Sequence, residues 1–402
     1  MPLNPIEQAA CERAAAAPML AQVERWAAVN SGSRNLAGLR TMAALLGEAF
    51  AALPGRVELV PPAPVTAVAP SGAIEDVAHG DHLLVTVRPD AAVQLLFTGH
   101  YDTVFGADHP FQTLRWQGDG RLNGPGVADM KGGLALLLAA LEAVEASPAA
   151  PRIGYQVLID SDEEVGSPSS AGLIARVARD KQAALTYEPA LPDGTLAGAR
   201  SGSGNFSFVI AGRAAHAGRN PEDGRNALLA AAALALQLEA AIGPGLSVNP
   251  ARIDGGGPNN VVPEHAVLRV NVRPVSAEAE AQAEAAIERA VAAVAAEREV
   301  RITVHGGFGR PPKPLDPAAE RLFGLVRSCG ADLGLPPVTW RATGGVCDGN
   351  NIAACGVPVV DTMGARGGAI HSEEEFLIPE SLPERAMLST LAILRLAERG
   401  RP

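Results

Sequence analysis

Cysteine is scarce: Cys11, Cys329, Cys347 and Cys355 are the only four in 402 residues, and no two form a Cys-x-x-Cys pair. Thiols so few and scattered fit a reducing compartment better than a disulfide framework. Positive charge is also short, with 33 lysines and arginines against 44 acids and a net charge of −11. An acidic surface repels nucleic acid and anionic membranes, so neither is expected as a partner. The longest apolar run, Leu134 to Leu141, is too short to span a bilayer. The first residues carry Glu7, Glu12 and Arg13 among alanines, which is not the basic front and unbroken apolar centre of an export signal. The expected setting is the cytoplasm, and the expected partner is a small molecule or short peptide.

Apolar residues make up 47% of the chain, enough to fill more than one core at this length. From Ile6 to Leu53 they recur at helical spacing, predicting two opening helices. Val93 to Thr98 reads as a buried strand, Met130 to Val144 as a helix, Ile153 to Ile159 as a second strand, Ala171 to Arg179 as a helix and Ala183 to Tyr187 as a short strand. This alternation predicts an α/β sandwich with a mostly parallel sheet.

After about Gly198 the pattern changes. Phe206 to Ile210 and Ala266 to Arg273 read as strands, and Asn226 to Ala241 and Ser276 to Glu297 as alanine-rich helices. Two strand-helix units in succession predict an inserted, smaller α+β domain. Pro311-Pro312-Lys313-Pro314 reads as the hinge back. A helix near Ala318 to Gly334, a strand Val357 to Thr362 and a helix Ser381 to Glu398 complete the first domain. The expected division is therefore residues 1–200 with 312–402 for one domain, and 201–311 for the insertion.

Potential metal ligands follow the predicted strands directly: His100 and Asp102, then Glu163 and Glu164, then Glu188, and finally His371. In open α/β sheets ligands bind beyond the carboxyl ends of the strands, so these distant positions can converge. His100 and Asp102 stand at i and i+2, on one side of an extended segment, where one can bind metal while the other orients it. Asp129 lies in a glycine-rich loop that opens a helix, a place from which a carboxylate could bridge two cations. Asp160 to Glu164 holds four acids in five positions, a cluster that a divalent cation would relieve of its self-repulsion. Adjacent glutamates could divide the roles of ligand and base.

His100-Tyr101-Asp102-Thr103-Val104, the Gly124 to Gly133 loop, Glu163-Glu164-Val165-Gly166-Ser167, Glu188-Pro189 and Ala215-His216-Ala217-Gly218 together resemble the zinc metallopeptidases that include glutamate carboxypeptidase, acetylornithine deacetylase, succinyl-diaminopimelate desuccinylase and aminoacylase. The resemblance covers nearly the whole chain, in order. It implies two zinc ions, with cobalt or manganese also compatible with such ligands. Asp129 would bridge them, His100 and Glu188 would hold one, and Glu164 and His371 the other. It further implies Glu163 as general base and Asp102 as the partner of His100. The insertion would be a lid and dimerisation domain, with His216 reaching a partner's active site in a homodimer. Arg310 and Asn260 would hold a substrate carboxylate, supported by Arg273. Glu188 points to the glutamate-carboxypeptidase side of the family, and cleavage of an amide next to a free carboxylate is the implied activity. Deacylation or desuccinylation of another metabolite is the alternative, and a catalytically inactive metal-binding scaffold a further one.

Other signals carry less. Gly202-Ser203-Gly204 lacks the third glycine and the ribose-binding acid of a dinucleotide loop. His79, His82, His109, His265 and His305 belong to no motif and read as core or surface residues. Cys347 reads as a small buried residue rather than a nucleophile. Two departures from the resemblance stand out: Gly344-Gly345-Val346-Cys347-Asp348 replaces a Gly-Gly-Gly-Thr-Asp turn, and Asn271 stands where an aspartate is common.

Overall fold

The computed structural model describes residues 2–402. Six strands form the main sheet in the order Arg56–Val60, His82–Val87, Ile153–Asp160, Val93–His100, Ala183–Thr186 and Val359–Val360. The last four run parallel, as the strand-helix alternation predicts. The first two pair antiparallel at one edge, an extension that the periodicity does not reveal. Arg56-Val57-Glu58-Leu59-Val60 alternates over only five residues, too few to stand out from loop sequence.

Successive strand side chains face opposite sides, and each side is covered. Leu95 and Phe97 join the larger core with the helices Gly132–Glu145 and Ser381–Arg399, whereas Leu96 joins a smaller one with Ala171–Ala178 and Asp348–Ala354. The helix Gly132–Glu145 is buried on nearly every face, which explains a sequence with almost no polar stripe. Three helices open the chain rather than two: Pro5–Ala15, Met19–Ala27 and Leu36–Phe50. Pro18 precedes the second, and Asn35 caps the third by accepting from the Gly38 N–H at 3.1 Å.

Residues 203–310 build a second sheet, ordered Leu246–Gly255, His265–Pro274, Ser203–Ala211, Arg301–Arg310, with every pairing antiparallel. The helices Ala227–Glu239 and Ala277–Arg298 cover one face, enclosing a separate core that includes Phe208, Leu234, Leu268 and Val294. This is the expected α+β unit. Its two outer strands escape prediction because they carry Pro250 and Gly306, Gly307 and Gly309, residues that edge strands tolerate and central ones do not. The uncovered face meets a hairpin of the first domain, Thr66–Val68 with Ile74–Asp76. Arg269 Nη2 donates to the Val68 carbonyl at 2.8 Å, and His265 Nε2 lies 3.1 Å from the Pro70 carbonyl. Among the described residues no helix is long and apolar enough to cross a membrane.

Candidate metal centre

Strand register brings the ligands together. His100 pairs with Asp160 across one neighbour, and Thr98 with Thr186 across the other, so Glu163, Glu164 and Glu188 leave the sheet at the same end as His100. His100 Nε2 lies 3.1 Å from Asp129 Oδ1 and 3.7 Å from Glu188 Oε2. His371 Nε2 lies 3.3 Å from Asp129 Oδ2 and 3.0 Å from Glu164 Oε2. Asp129 thus presents one oxygen to each imidazole. Two overlapping groups, His100 with Asp129 and Glu164, and His100 with Glu163 and Glu188, each keep their donor atoms within 4.8 Å.

The two imidazoles are held differently. His100 is buried on a central strand, with the Asp102 carbonyl 3.1 Å and its carboxylate 3.4 Å from Nδ1. Asp102 also accepts from Ser33 Oγ at 2.6 Å and from the N–H groups of Glu163 and Glu164 at 3.2 and 3.3 Å. One carboxylate therefore ties the His100 segment to the glutamate pair. His371 is on a loop, its side chain 53% exposed and its φ +63°, a left-handed backbone uncommon outside glycine.

Glu375 is a site residue that the sequence reading does not single out. Its buried carboxylate accepts from the N–H groups of Gly126, Ala128 and Asp129 at 3.0 to 3.1 Å, which fixes the loop that aims Asp129. Three neighbouring acids, Glu373, Glu374 and Glu375, look alike in sequence, and only folding buries the third. Two glycines frame Glu188 in a similar way: a Cβ on Gly133 would meet the Tyr187 carbonyl at 2.0 Å, and one on Gly364 would meet the Glu188 carbonyl at 2.5 Å. His79 and His82 are buried beside Asp162; Ser161 and Ser169 satisfy both ring nitrogens of His82, whereas His79 Nδ1 lies 3.7 Å from the Asp162 carboxylate without a hydrogen bond.

Charge in this cluster is unbalanced. Burial, reinforced by Asp129, pushes Glu164 up to about 7, and burial likewise raises Glu163 and Glu188. Burial alone would lower His100, yet Glu188, Asp102 and Asp129 hold it well above the usual imidazole range. Hydrogen bonds to Asp129 and Glu164 push His371 up to about 11. Glu163 Oε1 is buried without a hydrogen-bond partner, although Arg310 Nη1 lies 2.7 Å away as an ion pair. Four crowded carboxylates and two imidazoles with oxygen and nitrogen donors at coordinating separations fit divalent cations, which would satisfy acids that otherwise resist ionising.

The cluster opens into a cavity of about 270 Å³ that includes Glu163, Glu188, Arg200, Arg341 and His371 in its lining. A larger depression of about 560 Å³ lies elsewhere, over the sheet edge near Arg56 and Arg176. Its carboxylate, Glu58, is paired with Arg56 at 3.1 Å, and no imidazole joins it.

The other expected site residues divide. His216 and Asn260 are exposed on the second unit and are absent from the lining of this cavity. His216 Nδ1 accepts from the Gly218 N–H at 3.1 Å, and the Asn260 carbonyl accepts from Ala217 N–H at 2.9 Å, so the two belong to neighbouring loops. Arg273 reaches the first domain, donating to the Gly344 carbonyl at 3.1 Å. Asn271 accepts from Arg273 Nε at 2.9 Å while its amide donates to Ser203 Oγ, the Gly204 carbonyl and Asn205 Oδ1. An aspartate could not make those donations, which gives the departure at this position a physical basis. Arg310 is buried, and besides Glu163 its guanidinium engages Asp348 Oδ1 at 3.1 Å, Ser167 Oγ at 2.7 Å and the Glu163 carbonyl at 3.1 Å. Cys347 lies 3.6 Å from Asp361 Oδ2, and burial raises its thiol well above the usual range, which opposes a nucleophilic thiolate.

Comparison with known proteins agrees with this geometry. The family described as Peptidase family M20/M25/M40 matches residues 96–395. The chain is 30% identical over 331 residues to carboxypeptidase G2 of Pseudomonas sp. (strain RS-16), covering 79% of this chain and 77% of that protein. It is 26% identical to a succinyl-diaminopimelate desuccinylase of Verminephrobacter eiseniae, covering 72% and 75% respectively. A tripeptidase structure from Staphylococcus aureus shares the fold, with a TM-score of 0.73 at 21% identity over 97% of this chain and 99% of the other.

Proposed function

The chain belongs to peptidase family M20/M25/M40, a metallopeptidase family whose members hydrolyse amide bonds, and from that premise we propose that it is a two-metal amidohydrolase cleaving an amide or peptide bond beside a free carboxylate. The observation that carries the reading is Asp129, with its two oxygens 3.1 and 3.3 Å from the imidazoles of His100 and His371. Glu188 would complete the His100 side and Glu164 the His371 side. Two zinc ions there, or cobalt or manganese, would lower the pKa of a bound water and polarise the scissile carbonyl.

The remaining steps fall to this chain's own residues. Glu163 lines the cavity without being needed between the imidazoles, and it takes the proton of the attacking water and returns it to the leaving nitrogen. Arg310 moderates that carboxylate, since its guanidinium opposes the rise caused by burial. When substrate enters, the same planar fork receives the substrate carboxylate, with Arg273 bracing the Gly344 turn and Asn260, which stands exposed outside the cavity, closing onto it with the lid. His216 lies outside this subunit's cavity, and in a homodimer the partner's copy of the exposed loop supplies it to the developing oxyanion. Residues 201–311 then serve as both lid and dimer contact.

Metal analysis with an N-acyl amino acid and dipeptide panel tests the reading. Two divalent ions per chain are expected, with activity abolished by chelation and restored by zinc or cobalt. Full turnover by metal-free protein removes the central claim. A metal-dependent activity that favours acetyl or succinyl compounds over peptides would assign the deacylase alternative, which the 26% identical desuccinylase keeps open.

A further inference from the structure

The metal cluster accounts for one part of the cavity. Leu191, Val346 and Ile370 line another part, together with Thr195, Arg341 and Thr343. Strand geometry explains why Arg341 is there. Trp340–Thr343 runs parallel to Leu196–Arg200, with Arg341 opposite Ala197. Trp340 packs on Phe323, their ring centroids 5.0 Å apart, so alternation turns Arg341 and Thr343 to the other face. The small Ala197 side chain leaves the guanidinium room.

The cavity's two arginines are in opposite states. Arg200 is committed: Nε donates to Asp361 Oδ2 at 2.7 Å, Nη2 to Oδ1 at 3.3 Å, and Nη1 to the Gly345 carbonyl at 3.1 Å. Arg341 is exposed and, among the described residues, has no ion pair. Asp193, which feels its charge, is held in its own turn, accepting from the Thr195 N–H at 2.9 Å. A cavity with acids that suit cations, an apolar middle and one uncommitted guanidinium is shaped for a ligand with a second negative charge beyond a short apolar spacer.

We propose that Arg341 is a specificity-determining residue that receives this second anion, a carboxylate, while the spacer packs on Leu191, Val346 and Ile370. The proposal rests on the two-metal amidohydrolase reading and narrows its substrates to amides bearing an additional carboxylate. That carboxylate belongs either to the acyl group or to the amino-acid side chain. A guanidinium grips it through two parallel hydrogen bonds, which a neutral amide cannot reproduce. Because Arg341 is exposed, solvent limits the gain to about 3- to 10-fold.

Calorimetry on the metal-loaded protein reads the site without turnover, by comparing succinate, glutarate and adipate with butyrate. At least one dicarboxylate should bind about 3- to 10-fold tighter than butyrate, and Arg341→Ala and Arg341→Gln should remove the difference while Arg341→Lys restores part of it. No advantage at any chain length, or an advantage that survives both neutral variants, overturns the proposal. Turnover then identifies the source. N-succinylalanine against N-acetylalanine reports the acyl side, and N-acetylglutamate against N-acetylglutamine the side chain. A kcat/KM preference in one pair that collapses in Arg341→Ala assigns the carboxylate to that side, and preferences intact in both pairs contradict the proposal. If nothing in the panel is cleaved while the dicarboxylate advantage still depends on Arg341, the anion site stands and the hydrolytic reading fails.

Discussion

The first domain and the four-stranded unit contribute residues of opposite character. In the first, His100, Glu163 and Glu188 are buried at or just beyond strand ends and Asp129 in the loop that opens a helix, all tied to one another and to Asp102 and Glu375. In the second, His216 and Asn260 stand exposed on loops, and only Arg310, at the end of the last strand, is buried against the acids. On the proposed reading, the ligands and general base stand where packing holds geometry, whereas His216 and Asn260 stand on loops that a partner or substrate would complete. Substitutions in the first domain should disable a subunit by itself, and those on the exposed loops should be correctable by a neighbouring subunit.

Glu163→Gln is expected to have the largest effect, a loss of about 100- to 10,000-fold in kcat with both metals retained. Loss of a metal, measured by elemental analysis, would instead make Glu163 a ligand and exchange its role with Glu164. Second is a purely structural change in the same domain. Asp361 is buried between Arg200 Nε at 2.7 Å and Lys313 Nζ at 3.1 Å, and although burial opposes ionisation, the two cations hold its carboxyl below the usual range. Asp361→Asn leaves those cations without their counter-charge and should cost about 3–5 kcal/mol in denaturant unfolding. The sign of the pH dependence follows from the depressed native pKa: the stabilisation is complete above the unfolded carboxylate value of about 3.9 and is lost as pH falls through the native one. The gap between wild type and Asp361→Asn should therefore narrow on acidification, and a gap that widened would contradict the assigned pairing.

The loops come next. His216→Ala should lower kcat by about 100- to 1,000-fold, the range for one oxyanion donor, with little change in binding. Mixing this variant with Glu163→Gln should then recover activity in hybrid dimers. Verified subunit exchange without recovery would erase the contrast between the two regions. The smallest effect is expected for Arg310→Lys, about tenfold in KM for an N-acyl amino acid, whereas the uncharged amide, a poor substrate throughout, should lose little more. Equal losses on both, with a displaced pH profile, would mean that Arg310 serves chiefly to hold Glu163.

Much of this was legible in the chain itself, because it depends on neighbours in sequence. Buried strands announce themselves by continuous apolar runs, and a ligand directly after such a run must lie at a strand end. His100, Glu163, Glu164, Glu188 and His371 could be named on that ground and Asp129 as a carboxylate in a glycine-rich loop, while the family resemblance supplied the role of each. The paired antiparallel strands at the edge of the main sheet and the outer strands of the second unit were not legible. Short alternation, Pro250 and the glycines near Gly306 look like loop until a neighbouring strand supplies the hydrogen bonds.

Sequence alone determined the layered α/β class and the inserted unit, since each is encoded by local periodicity, and it offered the acids and imidazoles as candidates by adjacency to a strand or, for Asp129, to a glycine-rich loop. Only the tertiary structure decided which of three consecutive glutamates is buried to hold Asp129, why an amide suits position 271, and which cavity arginine is committed and which is free. It also turned Arg310 from a lone arginine near prolines into the partner of Glu163 and Asp348, residues 147 and 38 positions away. Burial and ion pairing are sums over neighbours that the chain brings together from long range, and no local pattern carries that information.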